Sequence, residues 1–330
     1  MEQNLIIAEI GSVHDGSFGN ACKLVEAAAA AGADAAKFQT HIASAETLKD
    51  APMPYYFKGE PRYEYFERTG FSVSQWKALK QVCQDNEVVF LSSPFSLEAV
   101  DLLEEVGVEA YKIPSGEVTN IPLLDRIAKT GNPAILSSGM NDWAELDAAM
   151  AALKLGGPIT ILQCASAYPC PPERVGLNLI GEMKARYGTT VGYSDHTLGF
   201  AASISAAALG ATVIEKHFTF SKLMYGSDAV HSLEPAEFKV FCDAVRETWA
   251  MLAAPVNKDD VSAYKDMKLI FEKSTVAGRA IKAGSILTLE DLAFKKPGDG
   301  IPAADYKTVI GKTLKVDLPA DHKFVEDDFV

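Results

Sequence analysis

The chain has 330 residues, 48% hydrophobic and 23% charged, which is ordinary for a globular protein and long enough for one large domain and a smaller one. Its formal charge of −13 argues against general binding to nucleic acid or to an anionic membrane, and no apolar run reaches the roughly 18 residues of a membrane-spanning helix. Five cysteines without a Cys-x-x-Cys motif argue against a disulfide framework or a structural zinc site, and the lack of a secretory signal predicts a cytoplasmic protein.

Short apolar runs alternate with helix-forming segments along the first 253 residues. The opening run, Leu5 to Gly11, is typical of a strand buried on both faces, and an Ala-rich helix predicted to end at Gly32 follows it. The same pattern predicts strands over 5–11, 35–40, 88–94, 110–117, 134–140, 159–164, 191–197 and 212–219. It predicts helices over 19–32, 73–85, 96–106, 121–130, 177–187, 198–210 and 235–253, with one more that begins at Asn141 or Asp142.

Eight strands that alternate with helices within about 250 residues predict a (β/α)8 TIM barrel. A doubly wound sheet is the alternative, and the lack of a Gly-x-Gly-x-x-Gly motif after the first strand disfavours it. In a barrel the functional site lies at the carboxyl ends of the strands, and this is where the sequence concentrates polar residues. They are Glu9, Lys37, Gln39, Ser93, Lys112, Ser115, Glu117, Ser137, Ser166, Tyr168, Ser194, His196 and His217.

Two histidines, His196 and His217, follow the last two predicted strands of the barrel. A right-handed crossover makes these strands parallel, so both imidazoles emerge on one face. Strand alternation puts Glu215 on the same side as His217 and puts Asp195 and Lys216 on the opposite side. Two imidazoles without a third ligand motif favour an open, octahedral site for Mn²⁺ or Mg²⁺ over a zinc site. An accidental pair of histidines is the alternative.

Two lysines, Lys37 and Lys112, end the second and fourth predicted strands. Together with the hydroxyls of Ser115, Ser137 and Ser194, they predict a cradle for a phosphate and a carboxylate group. A single lysine at such a position is more often a salt-bridge partner, but two lysines among several serines favour the anion site.

Two segments depart from the strand and helix alternation. Residues 41–71 form a long insertion rich in Tyr and Phe, which predicts a lid over the site, a partner interface, or both. Residues 1–253 are predicted to form the barrel, 254–269 a charged linker, and 270–330 a small module of short strands and turns with a capping box at Thr288. A module of about 60 residues has a marginal core, so it is expected to pack against something larger.

Six short motifs stand in order along the barrel segment: residues 8–11 (AEIG), 37–40 (KFQT), 111–117 (YKIPSGE), 136–140 (LSSGM), 193–197 (YSDHT) and 215–219 (EKHFT). Together they resemble the sialic acid synthase (N-acetylneuraminate synthase) family. The last 60 residues are similar to the antifreeze-like SAF domain (a β-clip fold) of that family, through residues 276–284 (VAGRAIKAG) and 296–301 (KPGDGI).

This resemblance implies condensation of phosphoenolpyruvate with an open-chain N-acyl hexosamine to give a nine-carbon 2-keto-3-deoxy acid and phosphate. It implies that His196 and His217 hold the divalent metal, that Glu117 and Glu9 are catalytic, and that a domain-swapped homodimer forms. The implied phosphoenolpyruvate ligands are Lys37, Lys112, Ser115, Ser137, Ser166 and Ser194. The implied sugar ligands are Gln39, Ser93, Tyr168, Asp228 and Lys296, with Glu9 also in contact with the sugar.

Three residues depart from the pattern of the family. Ser166 replaces an asparagine, Ser93 replaces a threonine, and Lys296 replaces an arginine whose planar contact a lysine cannot reproduce. Residues 51–62 do not align with the sugar-binding loop of the family. The acceptor therefore stays open among N-acetylmannosamine, its 6-phosphate and a dideoxy-diacetamido hexose that leads to legionaminic or pseudaminic acid.

Two other functions fit parts of the sequence. A Schiff-base aldolase would use Lys112 as its nucleophile, because barrels often carry a catalytic lysine at a strand end. A non-enzymatic protein would use the antifreeze-like module to bind ice or a sugar, with the barrel as a scaffold. The complete set of barrel motifs disfavours the second interpretation.

Overall fold

A computed structural model describes residues 4–52 and 59–330. The chain divides into two compact units, residues 1–254 and residues 255–330. All five cysteines are free thiols. Within the described ranges, none of the helices combines the length and the apolar character needed to cross a bilayer.

The first unit is a closed barrel of eight parallel strands that pair in chain order, with β1 closing against β8. Its strands are β1 Leu5–Gly11, β2 Ala35–Thr40, β3 Val89–Pro94, β4 Tyr111–Ile113, β5 Ala134–Ser137, β6 Ile159–Cys164, β7 Thr190–Asp195 and β8 Val213–His217. Its helices are α1 Phe18–Ala30, α2 Ala43–Glu46, α3 Arg62–Thr69, α4 Val73–Asp85, α5 Leu97–Val106, α6 Ile121–Ala128, α7 Trp143–Leu153, α8 Asn178–Tyr187, α9 Ala201–Ala208 and α10 Pro235–Ala253. The predicted TIM barrel is confirmed.

Local sequence explains where these helices begin and end. The Asp142 side chain caps the first turn of α7 and forms a capping box with Glu145, so the predicted start of this helix is confirmed at Asp142. Helix α5 ends at Gly107, whose φ of 77° lies in the left-handed region that glycine adopts without strain.

The barrel interior is built in layers because every second residue of a strand points inward. The lower layer is apolar and consists of Ile7, Ala35, Leu91, Ala110, Ile135, Leu162 and Val213. Gly192, which pairs with Val213, occupies the remaining strand, where an added Cβ would lie 2.3 Å from the Val213 carbonyl oxygen. Two residues further along each strand, the second layer consists of Glu9, Lys37, Ser93, Lys112, Ser137, Cys164, Ser194 and Glu215. The lower layer of the barrel interior is therefore apolar, whereas the second layer is mostly polar and contains two acidic and two basic side chains, those of Glu9, Glu215, Lys37 and Lys112.

The structure differs from several of the predicted elements; the strand predicted over 134–140, for example, ends at Ser137. Strand β4 ends at Ile113, because Pro114 breaks it, and residues 115–117 form a 3₁₀ turn where the sequence predicted more strand. The insertion at 41–71 contains helices α2 and α3, while its residues 53–58, with Tyr55, Tyr56 and Phe57, lie outside the described residues. The capping box predicted at Thr288 is present, but the element that follows it is a 3₁₀ turn over 289–291 and not an α-helix.

The second unit has a small core and little regular structure. It contains α11 Lys265–Phe271 and an antiparallel pair, β9 Ser274–Ala277 with β10 Leu292–Lys295. Helix α11 lies partly in the segment predicted to be a linker, where an ion pair between Lys268 and Glu272 supports its last turn. The predicted short strands and turns from residue 270 onward agree with this unit.

Candidate active site

A cavity of about 440 Å³ opens at the carboxyl ends of the barrel strands. It is lined by thirteen of the fifteen residues to which the sequence assigns a role: Glu9, Lys37, Gln39, Ser93, Lys112, Ser115, Ser137, Ser166, Tyr168, Ser194, His196, His217 and Asp228. The other two, Glu117 and Lys296, are not among the described residues that line it. The strand ends thus bring the predicted residues to one place, as the barrel topology requires.

The floor of the cavity holds two carboxylates and two ammonium groups that are buried together. Lys37 Nζ lies 3.2 Å from Glu9 Oε2 and 3.0 Å from Glu215 Oε1. Lys112 Nζ lies 3.8 Å from Glu215 Oε1. All four side chains are at most 5% exposed, so their charges must balance one another.

Two serine hydroxyls complete this buried cluster. Lys112 Nζ donates to Ser137 Oγ at 2.7 Å, and Ser194 Oγ donates to Glu215 Oε1 at 2.9 Å. Glu9 Oε2 has the Lys37 ammonium as its close partner, and Glu215 Oε2 is buried without a hydrogen-bond partner among the described residues. Both lysines are thus positioned by contacts within the protein.

Burial and the neighbouring charges set the protonation of this cluster. Burial opposes ionisation of Glu215, but Lys112 and Lys37 outweigh it and hold the pKa of Glu215 well below its usual range. Burial raises the pKa of Glu9, and the charge of Glu215 adds to that rise. Burial lowers the pKa of Lys112 to about 8, whereas Glu215 and Glu9 outweigh burial at Lys37 and raise its pKa.

The lowered pKa of Lys112 predicts that anion affinity falls in alkaline solution. Above about pH 8 Lys112 loses its proton, so we expect sulfate, whose own charge is constant, to bind about threefold to tenfold more weakly at pH 9 than at pH 7. Calorimetric titration measures this change. Because Lys37 stays charged, binding is weakened and not abolished. Equal sulfate affinity at the two pH values would contradict the assignment of Lys112.

The two histidines lie together at the rim, with ring centroids 5.5 Å apart. His196 Nδ1 lies 2.9 Å from the Ala165 carbonyl oxygen, so this nitrogen carries the proton and Nε2 is left to accept from the Tyr168 hydroxyl at 3.0 Å. Among the residues that the structure describes, none is a hydrogen-bond partner of the buried His217 Nδ1, and burial lowers the pKa of His217 to about 4. His217 is thus neutral at pH 7, as a metal ligand must be, whereas burial at His196 is outweighed by Cys164 and the Ala165 carbonyl, which raise the pKa of His196.

The residues adjacent to these histidines face away from the cavity. Lys216 Nζ lies 3.3 Å from Asp195 Oδ1, and both side chains are fully buried between the barrel and its helices. Ser203 of α9 donates to Asp195 Oδ2 at 2.6 Å. The predicted alternation along β7 and β8 is confirmed, and this ion pair ties together the two strands that carry the histidines.

On the side of β1 and β2, two acceptors and a donor converge above Gly11. An added Cβ at Gly11 would lie 3.0 Å from Asp228 Oδ2, 3.3 Å from Gln39 Nε2 and 3.4 Å from Glu9 Oε1. Gly11 also has a φ of 54°, so only glycine leaves this space open without strain. Two carboxylates beside an amide donor suit the hydroxyl groups of a sugar.

On the opposite side, small residues leave room beside the serines. An added Cβ at Gly139 would lie 2.3 Å from Ser166 Oγ and 2.8 Å from Ser115 Oγ. The hydroxyls of these two serines therefore meet at the turn after β5, close to the cavity wall that carries Lys112. This side has the hydroxyl donors that an anion requires.

The two residues outside the lining differ in their setting. Glu117 lies in the 3₁₀ turn after β4, where Asn120 Nδ2 donates to Glu117 Oε2 at 2.8 Å and burial raises the pKa of Glu117. Lys296 lies in the second unit, with its ammonium 4.8 Å from the centroid of the Phe271 ring. The catalytic role of Glu117 and the sugar contact of Lys296 stay predictions.

The sequence did not assign a role to several residues that line the cavity, chiefly Glu215, His41, Arg62 and Cys164. Strand alternation had placed Glu215 beside His217, and this signal was sufficient to include it. His41 follows β2 directly and could have been found in the same way. Arg62 belongs to α3, in the insertion, and no periodicity in the sequence brings this segment to the barrel.

Comparisons with known proteins agree with this geometry. A model of the NeuB family matches residues 24–257, and a model of the SAF domain matches residues 272–330. The chain is 38% identical to N,N'-diacetyllegionaminic acid synthase of Campylobacter jejuni, with 100% of this chain and 99% of the relative covered. It is 34% identical to human N-acetylneuraminate-9-phosphate synthase, with coverage of 98% and 91%.

A solved structure gives the same result for the fold. The crystal structure of N-acetylneuraminic acid (sialic acid) synthetase from Leptospira borgpetersenii in complex with citrate superposes with a TM-score of 0.72 at 29% identity. The superposition covers 81% of this chain and 91% of that chain.

Proposed function

This chain belongs to the NeuB family, and from that premise we propose that it condenses phosphoenolpyruvate with an open-chain N-acyl hexosamine. The products are phosphate and a nine-carbon 2-keto-3-deoxy acid of the sialic type. The observation that carries the proposal is one cavity of about 440 Å³ that combines a buried pair of lysines, a group of sugar-binding acceptors and two adjacent histidines.

The two sides of the cavity divide the substrates between them. Phosphoenolpyruvate, which is multiply charged, suits Lys37, Lys112 and the serines at 115, 137, 166 and 194. The acceptor suits Glu9, Gln39 and Asp228, which converge above Gly11. This division directs C3 of phosphoenolpyruvate towards the aldehyde carbon of the acceptor.

The reaction requires stabilisation of positive charge at C2 of phosphoenolpyruvate once C3 has attacked the aldehyde. Glu9 and Glu215 supply negative charge at the cavity floor, and Glu117, in the same 3₁₀ turn as Ser115, is the group proposed for proton transfer. Water then adds at C2, and phosphate leaves from the tetrahedral intermediate. Lys112, with its lowered pKa, stays close to the departing phosphate.

A divalent cation, Mn²⁺ or Mg²⁺, fits the two histidines. The unpartnered Nδ1 of His217 and the lone pair of His196 Nε2 are suitable donors. The described part of the chain offers no group of three or more potential ligands, so water and the acceptor would supply the remaining positions. When bound, such a cation would polarise the aldehyde oxygen of the acceptor.

The charges near the acceptor favour a sugar without a phosphate group. Asp228 lines this side and the buried Glu46 lies close behind it, whereas the charge of Glu9 is offset by Lys37. Arg62 brings one positive charge to the same region. Carboxylates in excess repel a phosphoryl group, so we propose N-acetylmannosamine or a dideoxy-diacetamido hexose as the acceptor, in preference to a 6-phosphate.

A panel of acceptors tests the function. Phosphate release from phosphoenolpyruvate is measured with N-acetylmannosamine, its 6-phosphate and a dideoxy-diacetamido hexose, each with Mn²⁺ and with EDTA. We expect release with an uncharged acceptor, and only when the metal is present. Release without any acceptor, or with none of the three, would reject the synthase, and preference for the 6-phosphate would reject the uncharged acceptor.

We propose that the enzyme works as a homodimer in which the C-terminal module of one subunit covers the barrel mouth of the other. Large apolar side chains are exposed on loops at the mouth, among them Leu223 at 94% and Met140 at 73%. The module likewise exposes Ile270 and Phe271. Apolar surface of this kind is typical of an interface, so sedimentation of an active monomer at micromolar concentration would contradict the dimer.

A Schiff-base aldolase is not favoured, because the curated relatives named above are synthases. Borohydride with pyruvate separates the two mechanisms. The synthase leaves Lys112 unmodified, whereas an aldolase would be trapped there and would stay active in EDTA.

A further inference from the structure

One histidine in the acceptor half of the cavity has no role in the proposed reaction. His41 follows β2, is 8% exposed and lines the cavity. Its ring lies between two phenyl rings, with centroids 3.6 Å from Phe66 and 4.1 Å from Phe95 and interplanar angles of 11° and 19°. The plane of the imidazole is therefore held from both faces.

Both nitrogens of this ring have side-chain partners. His41 Nδ1 lies 2.8 Å from Glu46 Oε1, and Nε2 lies 3.1 Å from Gln39 Oε1. The Glu46 side chain is 4% exposed. Because two phenyl rings cover its faces and two side chains contact its nitrogens, the imidazole of His41 is held in one orientation.

Gln39 connects His41 to the Glu9 carboxylate at the cavity floor. Gln39 Nε2 donates to Glu9 Oε1 at 2.8 Å. An amide has one accepting end and one donating end, so Oε1 of Gln39 must face a donor when Nε2 faces an ionised carboxylate. Nε2 of His41 supplies that donor when it carries a proton, and because Nδ1 faces the carboxylate of Glu46, the ring donates to both acceptors only as an imidazolium paired with Glu46.

We propose that His41 is a positioning residue that fixes the amide of Gln39, and through it the carboxylate of Glu9, for the acceptor sugar. The inference rests on the proposed function, because it assigns the acceptor to this side of the cavity. Without the donor at His41, the Gln39 amide can turn its oxygen towards Glu9, where two acceptors repel each other. The insertion thus acts on the site through Glu46 of α2 and Phe66 of α3.

The chain of contacts also predicts which substrate is affected. Glu9 is held on its other oxygen by Lys37, and Lys37 is held independently by Glu215. Loss of His41 therefore disturbs the acceptor side first and leaves the lysines in place. A ring that merely filled space between Phe66 and Phe95 would have no such selective effect.

The test uses steady-state kinetics with Mn²⁺ and the uncharged acceptor that the wild type uses best. His41→Phe keeps a stacked ring and removes both nitrogens, so we expect the KM of the acceptor to rise about tenfold, the loss of one hydrogen bond, while the KM of phosphoenolpyruvate stays within about twofold. His41→Gln, whose side-chain amide can donate to Gln39, should restore the acceptor KM to within about threefold of wild type.

His14 provides a matched control. It is also a buried histidine stacked on a phenyl ring, 4.6 Å from Phe71, but its Nδ1 accepts from the backbone of Gly16 and it does not line the cavity. His14→Phe should therefore change stability without a change in either KM. Should His41→Phe fail to fold, Glu46→Met removes the partner of Nδ1 and should also raise the acceptor KM selectively.

The results separate this inference from the proposed function. A wild type that releases phosphate with none of the acceptors fails as a synthase. If the wild type is active but folded His41→Phe has an unchanged acceptor KM, only the role of His41 is overturned. The same holds for an unchanged acceptor KM in Glu46→Met, should His41→Phe not fold. An equal rise in both KM values, or no recovery in His41→Gln, overturns it as well.

Discussion

Replacement of His217 by alanine is expected to abolish product formation while the barrel still folds. The side chain lies at the rim of the cavity, with one nitrogen buried and unpartnered, so it contributes more to ligand binding than to the core. We expect kcat to fall about a thousandfold, as for the loss of a group that stabilises developing charge. Thermal unfolding should stay cooperative, with the free energy of unfolding within about 2 kcal/mol of wild type.

Direct titration with Mn²⁺ gives a readout that does not depend on turnover. His217→Ala and His196→Ala should each lose the Mn²⁺ site that the wild type has. His231 is a suitable control, because its Nδ1 is also buried with no hydrogen-bond partner in the described part of the chain, but it is not among the residues that line the cavity. His231→Ala should retain the site, and wild-type Mn²⁺ affinity in His217→Ala would refute the metal assignment.

Glu215→Gln is expected to cause the largest loss of stability among single changes at the site. Lys37 and Lys112 would then share one carboxylate in a cluster that is almost fully buried. Leaving a buried charge uncompensated costs about 3 kcal/mol, and for a barrel of this size we expect the Tm at pH 7 to fall by about 6 to 12 °C. Scanning calorimetry measures the shift.

The pH dependence of this loss has a definite sign. The folded pKa of Lys112 is lowered to about 8, so the penalty for burying its charge is full below pH 8 and is relieved as the pH rises towards 10.5, the ordinary value for lysine. Without Glu215 the pKa of Lys112 falls further, so in the variant the penalty for burying this charge begins to decrease at a lower pH than in the wild type. The difference in Tm between variant and wild type should therefore become smaller between pH 7 and pH 9.5.

Ser194→Ala is the matched control for the loss of the Glu215 charge in Glu215→Gln. It removes the hydroxyl that donates to Glu215 but leaves all four charges in place, so we expect a loss of only about 1 kcal/mol. Equal Tm shifts in Ser194→Ala and Glu215→Gln, or a gap that widens with pH, would contradict the account of the buried cluster.

Several parts of the site could be predicted from sequence because a strand has a period of two. Lys37, Ser194 and His217 lie at strand ends on the inward-facing side, and the barrel topology makes such positions converge. The same period explains why Asp195 and Lys216 pair outside the barrel. These assignments need only the order of the strands and the parity of each residue.

Other parts depend on distances that no local pattern contains. Lys37 and Lys112 have the same predicted role, yet Lys37 lies between two carboxylates, whereas Glu215 is the one carboxylate within 4 Å of Lys112 among the described residues. Their pKa values therefore shift in opposite directions. Likewise, the 41–71 insertion has no periodicity that predicts how α2 and α3 reach His41.

The barrel, the end of it that carries the site and most of the side chains there could be read from local properties of the chain, namely alternation and strand order. The sharing of the buried charges and the contacts that hold His41 became visible in the folded structure. Those features arise from contacts between residues far apart in sequence, where burial and the exact neighbours set the energy of each charge.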